Sequence, residues 1–424
     1  SAINTLLAEQ AEDFDLWTWV WGAHARSLHL HLPDAHGPRH PYLKHIKALR
    51  SEHPGIATGA IGYLTDPVEC ETALTNGTSD VVFLGRPLIT DAAFPNKATK
   101  GKIEDIRYCV SCNSCWRSII EAGALACDNN PKVGEPDEHL VAPPPVTSRR
   151  HVVIIGTGVA ALEAAHTAAA HGQKVTVLGD HEAFGGKTRL HAQMPGGENL
   201  SSVYDYQYLR AQQLGVKFEL GRQASIDDVL SCDPDVVLLA TGSRSSRPEW
   251  LPEEWFTQGL IPSLRDMAKQ LTQGMGQAPG RAVIVDQDHT EMTYATALRM
   301  AKCFDQITLV TSRERFANDV SLINRQGILK RLFERHVELI CHVEPEGVTQ
   351  LEEGQFALRN VYNGALATID SVTAVIHASS RVPNDCLREP LVARGLEVIP
   401  IGDCKAPRSL MNATREGYDI ATAL

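Results

Sequence analysis

The 424-residue sequence has no apolar run long enough to cross a membrane, which takes about 20 consecutive residues as a helix. It also has no excess of positive charge. Its 40 Lys and Arg face 51 Asp and Glu, a net −11, which argues against a general nucleic-acid binder and suits solubility or a basic partner surface. The first 22 residues lack the basic, apolar opening of a secretory signal and carry Glu9, Glu12, Asp13 and Asp15 instead. A soluble, cytoplasmic protein with neither membrane nor nucleic acid as partner is expected. The length allows two or three domains.

Cysteine is what the chain does have, in one dense stretch. Cys109 to Cys127 reads CVSCNSCWRSIIEAGALAC, with Cys109, Cys112, Cys115 and Cys127 spaced C-x2-C-x2-C-x11-C. Four thiols in so short a run need a common partner. A close triplet with a fourth Cys downstream is how iron–sulfur clusters are held. Zinc is the first rival, since a C-x2-C pair serves both. The absence of a secretory signal argues against disulfides. The other six Cys (Cys70, Cys232, Cys303, Cys341, Cys386 and Cys404) are scattered and read as small core residues.

Ahead of the cysteines the chain alternates strand and helix. Strands are expected over 15–22, with Trp17, Trp19 and Trp21 on one face, over 55–62 and over 80–85. Helices are expected over 41–52 and over 65–76, the latter with Thr65 as N-cap. Residues 24–40 hold five His (His24, His29, His31, His36 and His40) but also Pro33, Gly37 and Pro38, and read as a solvated loop. The third strand runs into Gly85-Arg86-Pro87. Gly and then Arg at a strand's carboxyl end suits a phosphate, with Gly62 as the matching glycine one strand earlier, although a surface ion pair explains Arg86 as well. Three strands cannot close an eight-stranded barrel, which usually takes about 250 residues.

Residues 136–150 are Pro-rich and read as a linker. Beyond them a buried strand over 152–155 enters Gly156-x-Gly158-x-x-Ala161, a helix, and a strand over 174–178. This is the dinucleotide fingerprint in its structural context, with the pyrophosphate over the helix N-terminus. The acid expected to grip the ribose falls at Gly179, and Asp180 follows it. Gly186, Thr241 and Gly242 at the end of a strand from 235, and Gly402-Asp403 near the C-terminus complete the candidate cofactor contacts, with Asp403 placed for a ribose or ribityl hydroxyl. Between these pieces lies a second α/β unit with a strand over 281–285, a helix over 291–303 and a strand over 306–311. Where a second fingerprint belongs it reads Asp286-Gln287-Asp288-His289-Thr290-Glu291. Three acids and no Gly would repel a pyrophosphate, so this unit is expected not to bind NAD(P), and the run is expected to be a solvated acidic loop.

The order of these parts, together with DVVFLGRPLITD, KGKIEDIRYCVSCNSC, CDNNPKVGE and IGDCKAPRSLMNATREG, resembles the iron–sulfur flavoproteins related to old yellow enzyme. These include trimethylamine dehydrogenase, histamine dehydrogenase and 2,4-dienoyl-CoA reductase. The resemblance covers about residues 11–424. It implies an α/β chain: the C-terminal portion of a TIM barrel (1–108), an iron–sulfur segment and linker (109–147), and glutathione-reductase-like double Rossmann domains. The latter would be an ADP- or FAD-binding domain (148–243 with 394–424) and a degenerate NAD-like domain (244–393).

By the same resemblance, Arg86 and Gly62 would hold FMN phosphate, and the four clustered cysteines a 4Fe-4S cluster. FAD or ADP would sit on the Rossmann turn. Trp17 falls where the amine dehydrogenases place a substrate-cage aromatic. The degenerate fingerprint points to the amine branch, which hands electrons to an electron-transfer flavoprotein. The family's first five barrel strands, its catalytic Tyr and His and its FMN-linking Cys have no counterpart; Thr18 stands for the acid after Trp17 and Tyr63 for the Arg after Gly62. The chain is therefore expected to be the electron-transfer subunit of a split amine dehydrogenase or N-demethylase acting on a small amine, with a partner subunit completing the barrel. A carrier lacking FMN and an NAD(P)H-dependent enoate reductase component are the alternatives.

Overall fold

The computed structural model describes residues 5–6, 9–10, 13–23, 27–136, 138 and 148–424. His24 and most of the Pro-rich stretch 136–150 lie outside the described residues. The chain divides into two compact units, Ser1–His139 and Leu140–Leu424.

In the first unit three short strands, β1 (Trp17–Thr18), β2 (Thr58–Ala60) and β3 (Val81–Val82), lie parallel in that order. Helices Leu43–Glu52, Pro67–Thr75 and Arg86–Thr90 alternate with them, as a piece of a βα-repeat requires. The strands are shorter than the sequence suggests; among the described residues β1 and β3 each pair on one side, with β2. Of the three Trp, only Trp17 is in a strand; Trp19 and Trp21 instead pack on His45, at ring distances of 6.3 and 4.3 Å. The His-rich stretch is not all loop, since Leu28–His31 is a short helix. The N-cap expected at Thr65 is Asp66. Its carboxylate accepts the Val68 N–H, Glu69 reaches back to the Asp66 N–H, and Pro67 opens the helix.

The second unit opens with β4 (His151–Ile155), β5 (Lys174–Leu178), β6 (Lys217–Glu219) and β7 (Val236–Leu239), then β8 (Ser243–Ser245). β9 (Ala278–Asp286), β10 (Phe304–Val310) and β11 (Glu338–Ile340) follow. A small antiparallel sheet comes next, formed by β12 (Val343–Pro345), β13 (Phe356–Asn360) and β14 (Leu366–Ile369). β15 (Val372–Ala378), β16 (Arg381–Pro383) and β17 (Val398–Pro400) complete the order. Two parallel sheets result, β17-β7-β4-β5-β6 and β11-β10-β9-β15, and the antiparallel ribbon β8/β16 accompanies them.

Strand β4 is buried along its whole length, as the run HVVII demands of a central parallel strand. The helix Val159–Ala170 is Ala-rich and buried from Val159 to Ala168, because helices Ser201–Gln213 and Leu410–Ala423 both pack on it. Gly417 permits the second of these contacts, since a Cβ there would lie 2.6 Å from the Ala160 carbonyl oxygen. Glu163, fully buried in this helix, is met by Gln207 Nε2 at 2.7 Å and His166 Nε2 at 3.2 Å, as a buried carboxylate requires.

Candidate functional site

The turn after β4 builds a cavity of about 360 Å³. Gly156 has φ 122°, and a Cβ on it would lie 2.3 Å from the Ala240 carbonyl oxygen, so no other residue fits. Gly158 caps the helix Val159–Ala170, and the space where its side chain would be is open. The unpaired N–H groups of the first helical turn and the positive end of the helix dipole therefore face an accessible hollow, a ready site for an anion. Ala161 lies beneath in the core, fully buried. Gly186, Thr241, Gly242 and Asp403 line the same cavity, and so does Asp180. The Asp180 side chain is 59% exposed and, among the described residues, pairs with His181 at 3.7 Å. Gly179 is small because Thr157 Cγ2 would lie 2.5 Å from a Cβ there. The Thr241 hydroxyl is spent on the Asn384 carbonyl, and Gly402 donates its N–H to Glu416 Oε2 at 2.9 Å.

Asp403 is the centre of a charge cluster that the sequence does not reveal. Lys187 Nζ lies 2.6 Å from its Oδ2, the Ser243 hydroxyl donates to the same oxygen at 2.8 Å, and Arg381 and Arg265 approach to 3.2 and 3.8 Å. Burial alone would raise the Asp403 carboxyl; Lys187, Arg381 and Ser243 more than offset it and hold it below the usual carboxylate range. Burial and the neighbouring Arg381 push Lys187 down to about 8. Three cations on one carboxylate leave positive charge over, and Lys187 and Arg265 both line the cavity. Lys187 follows the glycine pair directly in sequence and could have been suspected; Arg265 and Arg381 carry no local signal.

The turn after β9 is built the opposite way. The Asp286 carboxylate is buried and accepts the Tyr294 hydroxyl at 2.6 Å and the His289 N–H at 2.9 Å. The Tyr294 oxygen in turn accepts the Ala317 N–H at 2.6 Å. Asp288 accepts from Thr290 N (3.0 Å) and from the Thr293 hydroxyl (2.7 Å), and Glu291 from Asn324 Nδ2 (2.8 Å). The run is thus solvated only in part: Asp286 and His289 are buried, whereas Asp288 and Glu291 are half-buried and Gln287 is exposed. Burial and the nearby Asp288 push the Asp286 carboxyl up to about 7.

In the first unit the four cysteines are free thiols, all half-buried. Ser111 and Asn113, between the first three, have φ 55° and 57°, so the loop doubles back on itself. Thr90 Oγ1 lies 3.7 Å from Cys127 Sγ. Burial holds the Cys112 thiol well up, raises that of Cys115 and pushes Cys127 up to about 12; the pairs Cys112–Cys127, Cys109–Cys115 and Cys109–Cys127 are close enough to add to this. Among the described residues no group of three or more His, Cys, Asp or Glu is gathered at metal-binding distance. Four thiols converge to advantage only where a cation stabilises them as thiolates. The donor set and the shape of the loop suit a thiolate-held metal.

The residues expected to hold FMN phosphate turn elsewhere. Gly62 packs against the Tyr42 ring, 2.4 Å from where a Cβ would be. The Arg86 fork is engaged by Asn113 Oδ1 at 2.6 Å and the Pro33 carbonyl at 2.8 Å, and Gly85 opens a helix of only five residues. Trp17 is half-buried, edge-on to Phe14 at 5.2 Å, and its indole N–H meets no acceptor among the described residues.

The open glycine turn, its helix and the Gly402-Asp403 pair agree with a wider comparison, in which the pyridine nucleotide-disulphide oxidoreductase family matches residues 150–405. The chain belongs to this family. It is an oxidoreductase on a nucleotide-binding fold. Bilirubin reductase of Mediterraneibacter gnavus is 27% identical over 386 residues, covering 90% of this chain and 57% of that protein. Dimethylamine dehydrogenase of Hyphomicrobium sp. is 25% identical, covering 95% and 58%. Among solved structures, histamine dehydrogenase from Rhizobium sp. 4-9 superposes with a TM-score of 0.85 at 23% identity, over all of this chain and 63% of that one. The resemblance to old-yellow-enzyme-related flavoproteins is borne out over the part of those proteins that this chain spans, a little more than half of the curated relatives' length. No helix among the described residues is long and apolar enough to cross a membrane.

Proposed function

We propose that this chain is the electron-transfer part of a split amine dehydrogenase or N-demethylase, passing electrons from FMN through a 4Fe-4S cluster to an electron-transfer flavoprotein. The observation that carries this reading is the closed turn after β9. Asp286, tied to Tyr294 and His289, puts a buried acid where a glycine would let a pyrophosphate approach. This supports a second sheet that takes no hydride from NAD(P)H and a chain that receives its electrons from FMN.

Cys109, Cys112, Cys115 and Cys127 would hold the cluster, which supplies one-electron transfer when bound. In the second unit the N–H groups at the start of the helix Val159–Ala170 orient the pyrophosphate of ADP or FAD. Lys187 and Arg265 would balance its charge, and Asp403 gathers those cations and offsets their mutual repulsion. A partner subunit would complete the barrel beside β1 and β3, whose outer edges pair with no strand among the described residues, and would add contacts to FMN; Trp17 lies in β1. The substrate class is a small amine, and catalytic proton transfer falls to the partner.

A second reading, an electron carrier without FMN, is supported by the engagement of Gly62 with Tyr42 and of Arg86 with Asn113. Acid release of nucleotides from the natively purified protein separates the two. FMN alongside ADP or FAD supports the dehydrogenase, whereas ADP or FAD alone supports the carrier. Reduction of the visible chromophore by NADPH would sink both in favour of an enoate reductase component.

A further inference from the structure

Arg86 belongs to the cysteine loop at least as much as to any phosphate. The third strand delivers it to the start of the helix Arg86–Thr90. There its two terminal nitrogens point to different partners: NH2 donates to the Pro33 carbonyl at 2.8 Å and NH1 to Asn113 Oδ1 at 2.6 Å. Asn113 is the residue directly after Cys112 and two before Cys115. It is 1% exposed and left-handed, with φ 57°, a conformation that Asn takes more readily than most residues when its side-chain amide is hydrogen-bonded. Its amide nitrogen donates to the Leu32 carbonyl at 3.4 Å. Both ends of the amide are therefore held by the same neighbourhood, one through Arg86 and one through Leu32.

We propose that Arg86 is a positioning residue for a metal held by the cysteine loop: by clamping Asn113 in its left-handed conformation, it sets the direction in which Cys112 and Cys115 present their thiols. A fork with two fixed donor directions does this, and a lysine ammonium, a single point of charge, cannot reproduce it. The inference rests on the reading of Cys109–Cys127 as a cluster site. It does not depend on FMN, on the barrel-completing partner or on the identity of the amine.

The test uses the full chain purified without oxygen, with whatever partner accompanies it. Iron and sulfide per chain, the cluster's visible and electron-spin-resonance spectra and its reduction potential are measured for the native protein and for Arg86→Ala, Arg86→Lys and Arg86→Ala/Asn113→Gly. Nucleotide content of the second unit and the thermal melt serve as folding controls. Arg86→Ala is expected to hold iron about 10-fold or more weakly against a chelator, the usual scale for removing a group that orients metal ligands. Arg86→Lys falls between the two and shows a shifted potential and an altered spectrum. Glycine adopts the left-handed conformation freely, so Asn113→Gly restores most of the iron to Arg86→Ala, a recovery that a merely stabilising role would not produce. Native iron and spectra in Arg86→Ala, or no recovery with Asn113→Gly, overturn the proposal alone. A native chain that holds no iron overturns the cluster reading and this proposal together.

Discussion

The second unit contains two β-α-β turns of the same kind, and they have opposite contents. After β4 the turn is Gly156-Thr157-Gly158, with open space over Gly158 and cations along the cavity. After β9 the turn is filled by its own Asp286, locked by Tyr294 and His289. The strand-helix geometry is shared, and the difference is made by a few side chains at the strand's carboxyl end. Fold therefore says that a nucleotide could be held in either place, and only the turn says which one is used.

The comparison is most easily broken at Gly156. Gly156→Val drives a side chain into the Ala240 carbonyl at a backbone angle that only glycine takes easily. It is expected to abolish retention of nucleotide, read by acid release and chromatography. At the closed turn, Asp286→Asn tests the burial of the acid. The native carboxyl is raised above its unfolded value, so the native state keeps its proton while the unfolded chain loses one. Native stability should fall as pH rises from about 4 to about 7 and be flat above that, by about 4 kcal/mol at most. The variant should lose this slope, as seen by melts across that range; an unchanged slope would mean that Asp286 is ionised throughout.

Asp403→Ala leaves Lys187, Arg265 and Arg381 facing one another. A loss of about 2–4 kcal/mol is expected, less than for a fully buried pair because Lys187 is partly exposed, and added inorganic phosphate should recover part of it in thermal melts. Asp180→Asn should have the smallest effect, about 0.5 kcal/mol or less in nucleotide affinity by calorimetry, since an exposed acid gains little from any single contact. A loss well beyond this would make Asp180 the ribose ligand in spite of Gly179.

What could be read from the sequence was local. The glycine turn, the buried run of β4 and the alternation of strand and helix in the first unit follow from periodicity and from residues that only one conformation suits. The N-cap falls one position later than expected because Thr65 and Asp66 both qualify and both donate their backbone N–H to Glu69; the Asp66 carboxylate, which accepts the Val68 N–H, decides between them. The acidic run 286–291 read as solvated because nothing in it announces that Tyr294, one helical turn further on, reaches back. The charge cluster on Asp403 was invisible for a different reason. Its members come from four separate segments, and no pattern along the chain links Lys187, Arg265 and Arg381. The second role of Arg86 was hidden likewise, because its partner Asn113 sits among cysteines that draw attention to themselves.

Strand β17 also bears on how the molecule is made. It pairs with β7, yet the whole of the second sheet lies between them in the chain, and the helix Leu410–Ala423 that packs on the helix Val159–Ala170 comes later still. On the ribosome the second sheet is complete in sequence before the first can close. The nucleotide cavity, which needs Asp403 and Ala413 from this late segment, is then among the last features to form. A nascent chain waiting at that stage exposes the flank of β7 and one side of an alanine-rich helix. Supply of the nucleotide during synthesis should raise the yield of native protein more than its addition afterwards.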